Sequence, residues 1–217
     1  MQNERPEYYL HSKNFERFYL PIIKVFAWTL LKVLGPVQNK GSYRVPRSGG
    51  LLILANHLAD VDPIIVQCAC PRPVYFMAKS ELFDIPVLAK VMKFFGTFAV
   101  KRGEPDRAAI KQALYYLKNG NALVVYPEGQ LSEDGRLQEL KPGVGLMVRL
   151  SGATVICCGI QGSNKIMPYG ITIPRPAFRK IPVVWGEPRH FESESSIEEV
   201  MEWASSELKM LVGEEYS

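Results

Sequence analysis

The chain has 217 residues, of which 47% are apolar and 22% charged, a composition typical of one folded domain rather than a disordered chain. Its net charge of +4 is unevenly placed, because residues 1–50 carry eight basic and three acidic groups whereas residues 191–217 carry one basic and eight acidic. The N-terminal part of the chain is therefore its cationic end. We predict no nucleic-acid partner.

The first predicted element is a helix from Arg17 to Val37, which is apolar almost all round and is closed by Gly35 and Pro36. Lys24 and Lys32 interrupt it, so it lacks the run of about 20 apolar residues that a spanning helix needs. Aromatic residues flanked by cations are typical of a helix that lies in the lipid headgroup zone. We therefore predict an amphipathic membrane-association segment over 1–40 and a separate folded domain over 41–217. The alternative is a helix packed on the core of its own domain.

After this segment, short strand-like runs alternate with helical patterns, and this alternation predicts an α/β fold, a mixed β-sheet covered by helices. Among the helices, one from about Glu104 to Asn119 has an apolar face, and a C-terminal one opens with Ser195 and Glu198 at capping-box spacing. The predicted strands are LLILA (51–55), VYFMA (74–78), TFAV (97–100), ALVVY (122–126), TVICCGI (154–160) and VVW (183–185).

The four cysteines, Cys68, Cys70, Cys157 and Cys158, do not have the paired C-x-x-C spacing of a zinc site. No secretory signal pattern precedes them. We interpret them as reduced, buried core thiols of a cytosol-facing protein.

Polar side chains follow three of the predicted strands, where functional groups of parallel sheets collect. His57 follows the first strand, Lys101 and Arg102 follow TFAV, and Glu128 follows ALVVY. The stretch ILANHLADVDP (53–63) allows two interpretations. Asp62 before Pro63 is a common helix start, whereas His57 with a carboxylate at Asp60 or Asp62 is a base with its orienting acid.

These residues belong to an ordered set of motifs that resembles the glycerolipid acyltransferase family over roughly residues 40 to 190. The family's Asn-His-x4-Asp motif matches Asn56, His57 and Asp62, and its Gly-x5-Arg motif matches Gly96 and Arg102. Its Pro-Glu-Gly-Thr-Arg-Ser motif is matched by residues 127–132, except that Gln130 and Leu131 replace Thr and Arg. The fourth motif, a buried strand that usually carries a Val-Pro pair, aligns with residues 155–162 but has Cys157 at the proline position.

The resemblance implies acyl transfer from a thioester, acyl-CoA or acyl carrier protein, to the hydroxyl of a lysophospholipid, foremost 1-acylglycerol-3-phosphate. His57 would be the general base, because neutral histidine has a suitable pKa, and Asp62 would fix its tautomer. It implies no cofactor beyond that co-substrate, and a peripheral position on the cytoplasmic face of a membrane. The residues expected to bind substrate are Asn56, Lys101, Arg102, Glu128 and Gly129.

Three alternatives remain open at this stage. His57, Asp60 and Asp62 are legitimate metal ligands, although no second cluster completes a site, and we predict none. The chain could instead be a peripheral lipid-binding protein with the fold but not the reaction. It could also transfer the acyl group to another acceptor, including one without phosphate.

Overall fold

The computed structural model describes residues 15–101, 106–192 and 194–216. In this part of the chain a mixed sheet of seven strands carries helices on both faces. The strands are β1 (Val37–Lys40), β2 (Leu51–Ala55), β3 (Val74–Lys79), β4 (Thr97–Val100), β5 (Ala122–Val125), β6 (Thr154–Ile160) and β7 (Ile181–Trp185). The helices are α1 (Leu20–Leu34), α2 (Asp62–Ala69), α3 (Pro86–Phe94), α4 (Arg107–Lys118), α5 (Gly143–Ser151) and α6 (Ile197–Val212).

The strands lie in the order β1-β7-β6-β2-β5-β3-β4. All neighbouring pairs are parallel except β6 and β7, which are antiparallel. The carboxyl ends of β2, β3, β4, β5 and β6 therefore meet at one edge of the sheet, called the carboxyl edge below. The predicted α/β class and mixed sheet are confirmed.

The two faces of the sheet can be followed along β2, whose side chains are all buried. Leu51 and Ile53 pack into the core under α1 and α2, while Leu52 and Leu54 pack under α4, α5 and α6. Alternation of side chains along a strand produces this division. Because both faces are covered, β2 has the continuous apolar sequence expected of a central parallel strand.

Most predicted strands agree with the observed ones within two residues, but β1 was not predicted. Its sequence, VQNK, carries three polar residues, and its side chains are at most half buried. It nevertheless pairs in parallel with β7, from Val37 beside Ile181 to Lys40 beside Val184. The last four residues of the predicted 1–40 segment therefore form a strand in the sheet of the domain.

Two helix starts differ from the prediction. The side chain of Ser196, not Ser195, caps α6 by accepting a hydrogen bond from the Glu199 N–H at 3.0 Å. Asp106 caps α4 by accepting from the Ala109 N–H at 2.9 Å. The capping spacing was thus present in the sequence, but one residue later than predicted for α6.

The N-terminal helix packs on the domain with one side and exposes apolar side chains on the other. A π-helical turn, Phe15–Tyr19, leads into α1, which contacts α2 and buries Leu31 and Leu34. Lys24 is directed inward, since its Nζ donates to the Cys70 carbonyl at 2.8 Å, and burial lowers its pKa. Within the ranges described, no helix has the length and apolar character needed to cross a bilayer.

The outward side of α1 and of the preceding turn carries large exposed apolar side chains. Apart from the adjacent Val25 and Phe26, they recur every three or four residues, which places them on one side of the helix. We call this set the α1 stripe; it consists of Phe18, Ile22, Val25, Phe26, Leu30 and Val33.

The four cysteines are free thiols, as predicted, and all but Cys68 are fully buried. Burial raises the pKa of each thiol. They are core residues, with Cys157 and Cys158 directed to opposite faces of β6.

Candidate active site

The site begins where β2 ends, at His57. The ring Nδ1 of His57 lies 3.0 Å from Asp62 Oδ2, and both side chains are buried. A carboxylate accepts only, so Nδ1 carries the proton and the lone pair is left on Nε2. No hydrogen bond to Nε2 is found among the described residues, and this nitrogen is the one positioned to accept a proton from a substrate.

Asp62 is held by the loop before α2. Its Oδ2 also accepts hydrogen bonds from the Leu58 and Ala59 N–H groups, at 2.7 and 2.8 Å. Asp62 is the first residue of α2, so its carboxylate turns back to the loop and does not cap the helix as the alternative interpretation required. Asp60 is exposed, which leaves Asp62 as the carboxylate paired with His57.

The His57 ring is also fixed by a side chain that the sequence analysis did not single out. Tyr126 stacks on it, with ring centroids 4.0 Å apart and an angle of 17° between the rings. The Tyr126 hydroxyl is buried without a hydrogen-bond partner in the described structure. Burial, reinforced by the negative charge of Asp62, raises its pKa well above the usual value, so the phenol stays neutral. Tyr126 therefore acts on His57 through packing rather than through its hydroxyl.

The loop after β5 holds the main chain of His57 from both sides. Glu128 Oε1 accepts from the His57 N–H at 2.8 Å, and the Ser132 N–H donates to the His57 carbonyl at 2.9 Å. Glu128 Oε2 accepts from the Gln138 N–H at 2.9 Å. Because β2 and β5 are neighbours, the motif that follows one strand positions the catalytic candidate that follows the other.

Glu128 was predicted to bind substrate, but the structure places it beneath the site. Its side chain is fully buried and both of its oxygens are bonded to main-chain N–H groups. Burial raises its pKa from 4.5 to about 7, with Asp62 and Asp134 adding to the rise and the two N–H groups opposing it. Glu128 is thus a positioning residue in this structure.

Asn56 is similarly occupied by main-chain groups. Its Nδ2 donates to the Ile160 carbonyl at 2.9 Å and its Oδ1 accepts from the Ile160 N–H at 2.7 Å. Both atoms are buried, and together they extend the pairing of β2 with β6 beyond the last residues of the ladder. The structure therefore gives Asn56 the role of fixing the strand end next to His57, instead of the predicted contact with substrate.

Gly129, in contrast, is exposed at the predicted place and has a φ of 72°, a conformation that favours glycine. A Cβ at this position would lie 3.4 Å from Cγ of Lys141, whose N–H donates to the Pro127 carbonyl at 2.7 Å. Lys141 is an exposed cation close to the motif that the sequence analysis overlooked. Leu131, which replaces the family's arginine, is half buried.

The predicted phosphate-binding cations lie further along the carboxyl edge. Lys101 directly follows β4, is exposed, and donates its N–H to Asp106 at 2.9 Å. Arg102 lies outside the described residues. Since β4 is three strands from β2 and strands are about 4.8 Å apart, the backbones at Lys101 and His57 are separated by roughly 14 Å. Long cationic side chains and an extended substrate would have to bridge that gap.

The described residues contain no cluster of three His, Cys, Asp or Glu side chains arranged to hold a metal ion. The arrangement around His57 is suited to proton abstraction instead. It has a histidine of defined tautomer, a buried carboxylate behind it, and one ring nitrogen directed away from its partners.

A family model described as Acyltransferase matches residues 36–161, more than half of the chain, and this range contains every residue of the site described above. The chain belongs to the Acyltransferase family. The resemblance inferred from the motifs is therefore confirmed.

Similar members of the Acyltransferase family come from plants and bacteria. A chloroplastic 1-acyl-sn-glycerol-3-phosphate acyltransferase of Arabidopsis thaliana is 27% identical over 157 residues, which is 71% of this chain and 44% of that protein. A Bacillus subtilis 1-acyl-sn-glycerol-3-phosphate acyltransferase is 27% identical over 165 residues, which is 74% of this chain and 77% of that protein. The chain thus spans about half the length of the plant relative and more of the bacterial one.

The fold is shared with a solved structure, the 1-acyl-sn-glycerophosphate acyltransferase of Thermotoga maritima. The TM-score is 0.78 at 24% identity, and the match covers 91% of this chain and 80% of that one.

Proposed function

We propose that this protein is an O-acyltransferase that moves a fatty acyl group from a thioester to the free hydroxyl of 1-acylglycerol-3-phosphate, giving phosphatidic acid. The observation that carries the proposal is the buried pair of His57 Nδ1 and Asp62 Oδ2, 3.0 Å apart at the carboxyl edge. The names of the family relatives from Arabidopsis and Bacillus support the acceptor. The donor is acyl-CoA or acyl carrier protein, and either thioester suits the same chemistry.

The reaction needs one base and no covalent enzyme intermediate. His57 Nε2 takes the proton of the acceptor hydroxyl as its oxygen attacks the thioester carbonyl carbon. The C–O bond forms, the tetrahedral intermediate collapses, and the C–S bond breaks. The proton on His57 then neutralises the leaving thiolate, while Asp62 stabilises the imidazolium between these two steps.

The direct test is thioester consumption and phosphatidic acid formation by purified protein with vesicle-borne 1-acylglycerol-3-phosphate. His57→Ala should lower kcat by at least about 10²-fold, the lower end of general-base contributions. A folded His57→Ala protein with undiminished turnover would disprove the mechanism. A wild-type protein that binds these vesicles but never consumes a thioester would identify a lipid-binding protein instead.

The acceptor is tested at Leu131. If the acceptor carries a phosphate, its charge rests on Arg102 with Lys101, Lys79 or Lys141 assisting, and one charge-assisted contact of about 1.5–3 kcal/mol is missing relative to the family motif. Leu131→Arg should then lower KM for 1-acylglycerol-3-phosphate. For an acceptor without phosphate, the new arginine would be an unpaired charge in a half-buried position and should reduce kcat/KM.

We further propose that the protein lies on the cytoplasmic face of a membrane, attached through the α1 stripe. Six large apolar side chains on one side of the helix give it lipid-compatible surface, and Lys32 is an exposed cation beside them. Lys32→Glu should weaken binding to anionic vesicles, because a basic residue near such a surface contributes about 1 kcal/mol. Lys24 is unsuitable for this test, since it is bonded to the Cys70 carbonyl.

A further inference from the structure

Helix α3 is covered by little of the described structure. None of its nine residues is fully buried. Val87, Val91 and Phe94 are exposed by 75%, 47% and 50% of their surface, and their spacing of four and three residues places them on one side of the helix. Soluble monomers rarely expose large contiguous apolar patches, and together with the α1 stripe these side chains add to such a patch, so a further surface is expected to cover them.

This face of α3 is close to the α1 stripe. The ring of Phe94 makes an edge-on contact with the ring of Phe15, with centroids 4.7 Å apart and an angle of 86° between the rings. Phe15 opens the turn that carries Phe18, the first member of the stripe. The exposed apolar groups of α3 therefore begin beside the surface that we assign to the membrane.

The two helices themselves carry only cations, whereas the turn before α1 contains Glu16 and the 3-10 helix before α3 contains Glu81 and Asp84. The sequence of α3, PVLAKVMKF, contains Lys90 and Lys93 and no acidic residue, and both lysines are exposed. The sequence of α1 also lacks acidic residues, and Arg17 and Lys32 are exposed near its ends. Apolar side chains flanked by cations are complementary to an anionic lipid surface, in which lysine heads stay with the phosphates while apolar groups enter the acyl boundary.

The start of α3 leads back to the site. β3 ends at Lys79 on the carboxyl edge, and the short 3-10 helix Ser80–Asp84 follows it before α3 begins. Leu82 and Ile85 in this connection are also exposed. The apolar surface thus extends from α1, across α3, to the edge that carries His57.

From these observations we propose that α3 is a second membrane contact, occupied by an anionic lipid surface, which together with the α1 stripe orients the carboxyl edge toward the bilayer. The inference rests on the lipid acceptor of the proposed function. A single helix leaves the domain free to rotate about that helix, whereas two contacts fix its orientation. A lipid acceptor could then reach His57 without leaving the membrane entirely.

Insertion of α3 into the bilayer can be measured by quenching of tryptophan fluorescence. Val91→Trp places a probe on α3, and Met210→Trp is the matched control, because Met210 is 66% exposed on α6, on the other face of the sheet. Both proteins are mixed with vesicles of phosphatidylglycerol and bromine-labelled phosphatidylcholine, and the wild-type signal from the three native tryptophans is subtracted. Quenching of the Val91→Trp signal but not of the Met210→Trp signal is expected. Equal and weak quenching of both probes on vesicle-bound protein overturns the proposal.

Partitioning into vesicles provides a second test of the contact. The double variant Val87→Gln/Val91→Gln should lower partitioning into phosphatidylglycerol vesicles by at least about tenfold, because two valine side chains lose an apolar environment. Met210→Gln should leave partitioning unchanged. If the double variant instead abolishes a dimer that sedimentation detects without lipid, a second copy of the chain covers α3 and the proposal is wrong.

Failure of this inference is separable from failure of the proposed reaction. With a water-soluble short-chain acyl-CoA and a short-chain lysophosphatidate below its aggregation limit, the double variant should keep wild-type turnover. With the vesicle-borne acceptor its turnover should fall in parallel with partitioning. Equal loss in both assays would show that α3 serves the site itself rather than the membrane.

Discussion

The replacement of Asp62 by asparagine separates the chemical role of this residue from its structural role. A single oxygen, Oδ2, accepts all three hydrogen bonds, from His57 Nδ1 and from the N–H groups of Leu58 and Ala59. The other oxygen is buried and has no hydrogen-bond partner within the described ranges. The asparagine carbonyl can therefore occupy the Oδ2 position and keep every one of these bonds, while its NH₂ group replaces the unbonded oxygen. What the variant loses is the negative charge.

The size of that loss follows from the geometry. When His57 becomes an imidazolium, its charge centre lies about 4 Å from that of the carboxylate, which corresponds to about 4 kcal/mol at an effective dielectric constant of about 20. A neutral hydrogen bond recovers about 1 kcal/mol of this. The remaining 3 kcal/mol or so predicts a fall in kcat of about 10²–10³-fold. The free energy of unfolding should change by less than about 2 kcal/mol, because no hydrogen bond is broken.

The assay compares kcat with thermal unfolding in three variants. Asp62→Asn should be folded and nearly inactive. Asp62→Ala leaves two buried main-chain N–H groups and the His57 Nδ1–H without acceptors and should lose at least about 2–6 kcal/mol of stability as well as activity. Asp60→Asn is the control, since Asp60 is exposed, and should stay within about twofold of wild type, as surface substitutions usually do. An Asp62→Asn protein that retains more than a tenth of wild-type kcat, or an Asp60→Asn protein with the greater loss, would refute the assignment.

Three further predictions concern the residues that hold His57. Burial raises the pKa of Glu128 to about 7, above its unfolded value of 4.5, so its contribution to stability is present below pH 4.5 and is lost as the pH rises through 7. In Glu128→Gln, the decline in the free energy of unfolding between pH 5 and pH 8 should therefore be smaller by on the order of 2 kcal/mol. Identical pH profiles of wild type and variant in urea unfolding would contradict this. Asn56→Ala should reduce the free energy of unfolding by about 2–4 kcal/mol, since both the N–H and the carbonyl of Ile160 lose their buried partners. A variant as stable as wild type in a denaturant titration would exclude this role. Tyr126→Phe keeps the ring stacked on His57 and removes a buried hydroxyl that has no hydrogen-bond partner in the described structure. The variant should therefore be as stable as wild type or more stable, with kcat within about twofold. A larger loss of kcat would assign the hydroxyl a direct role.

The sequence predicted the catalytic candidates because their placement depends on local patterns. The runs LLILA, TFAV and TVICCGI are uninterrupted apolar segments bounded by polar residues, and the observed strands have the same limits. Parallel strands place their carboxyl ends on one edge, so His57 and Glu128 could be expected to meet. The spacing of His57 and Asp62 allowed their pairing, but it also allowed Asp60 and a helix cap.

Long-range contacts account for the features of the structure that the sequence did not predict. The polar residues of β1 give no strand signal, and only pairing with β7 makes this segment a strand. Lys24 looks like a surface cation within an apolar helix, and only the position of the Cys70 carbonyl, 46 residues later, turns it inward. Asn56 and Glu128 look like substrate ligands until the main-chain groups of Ile160, His57 and Gln138 are placed beside them.

The sequence by itself thus determined six of the seven strands, which histidine is the candidate base, and which end of the chain is cationic, because apolar runs and side-chain chemistry are local properties. Only the tertiary structure decided which carboxylate is buried against His57, that Tyr126 stacks on it, and that Glu128 supports the loop from below. It also decided that Phe15, in the turn before α1, contacts Phe94 of α3. Apart from the His57–Asp62 pair, which lies within one loop, these are contacts between residues far apart in the chain, and they exist only once the sheet has set the strand order.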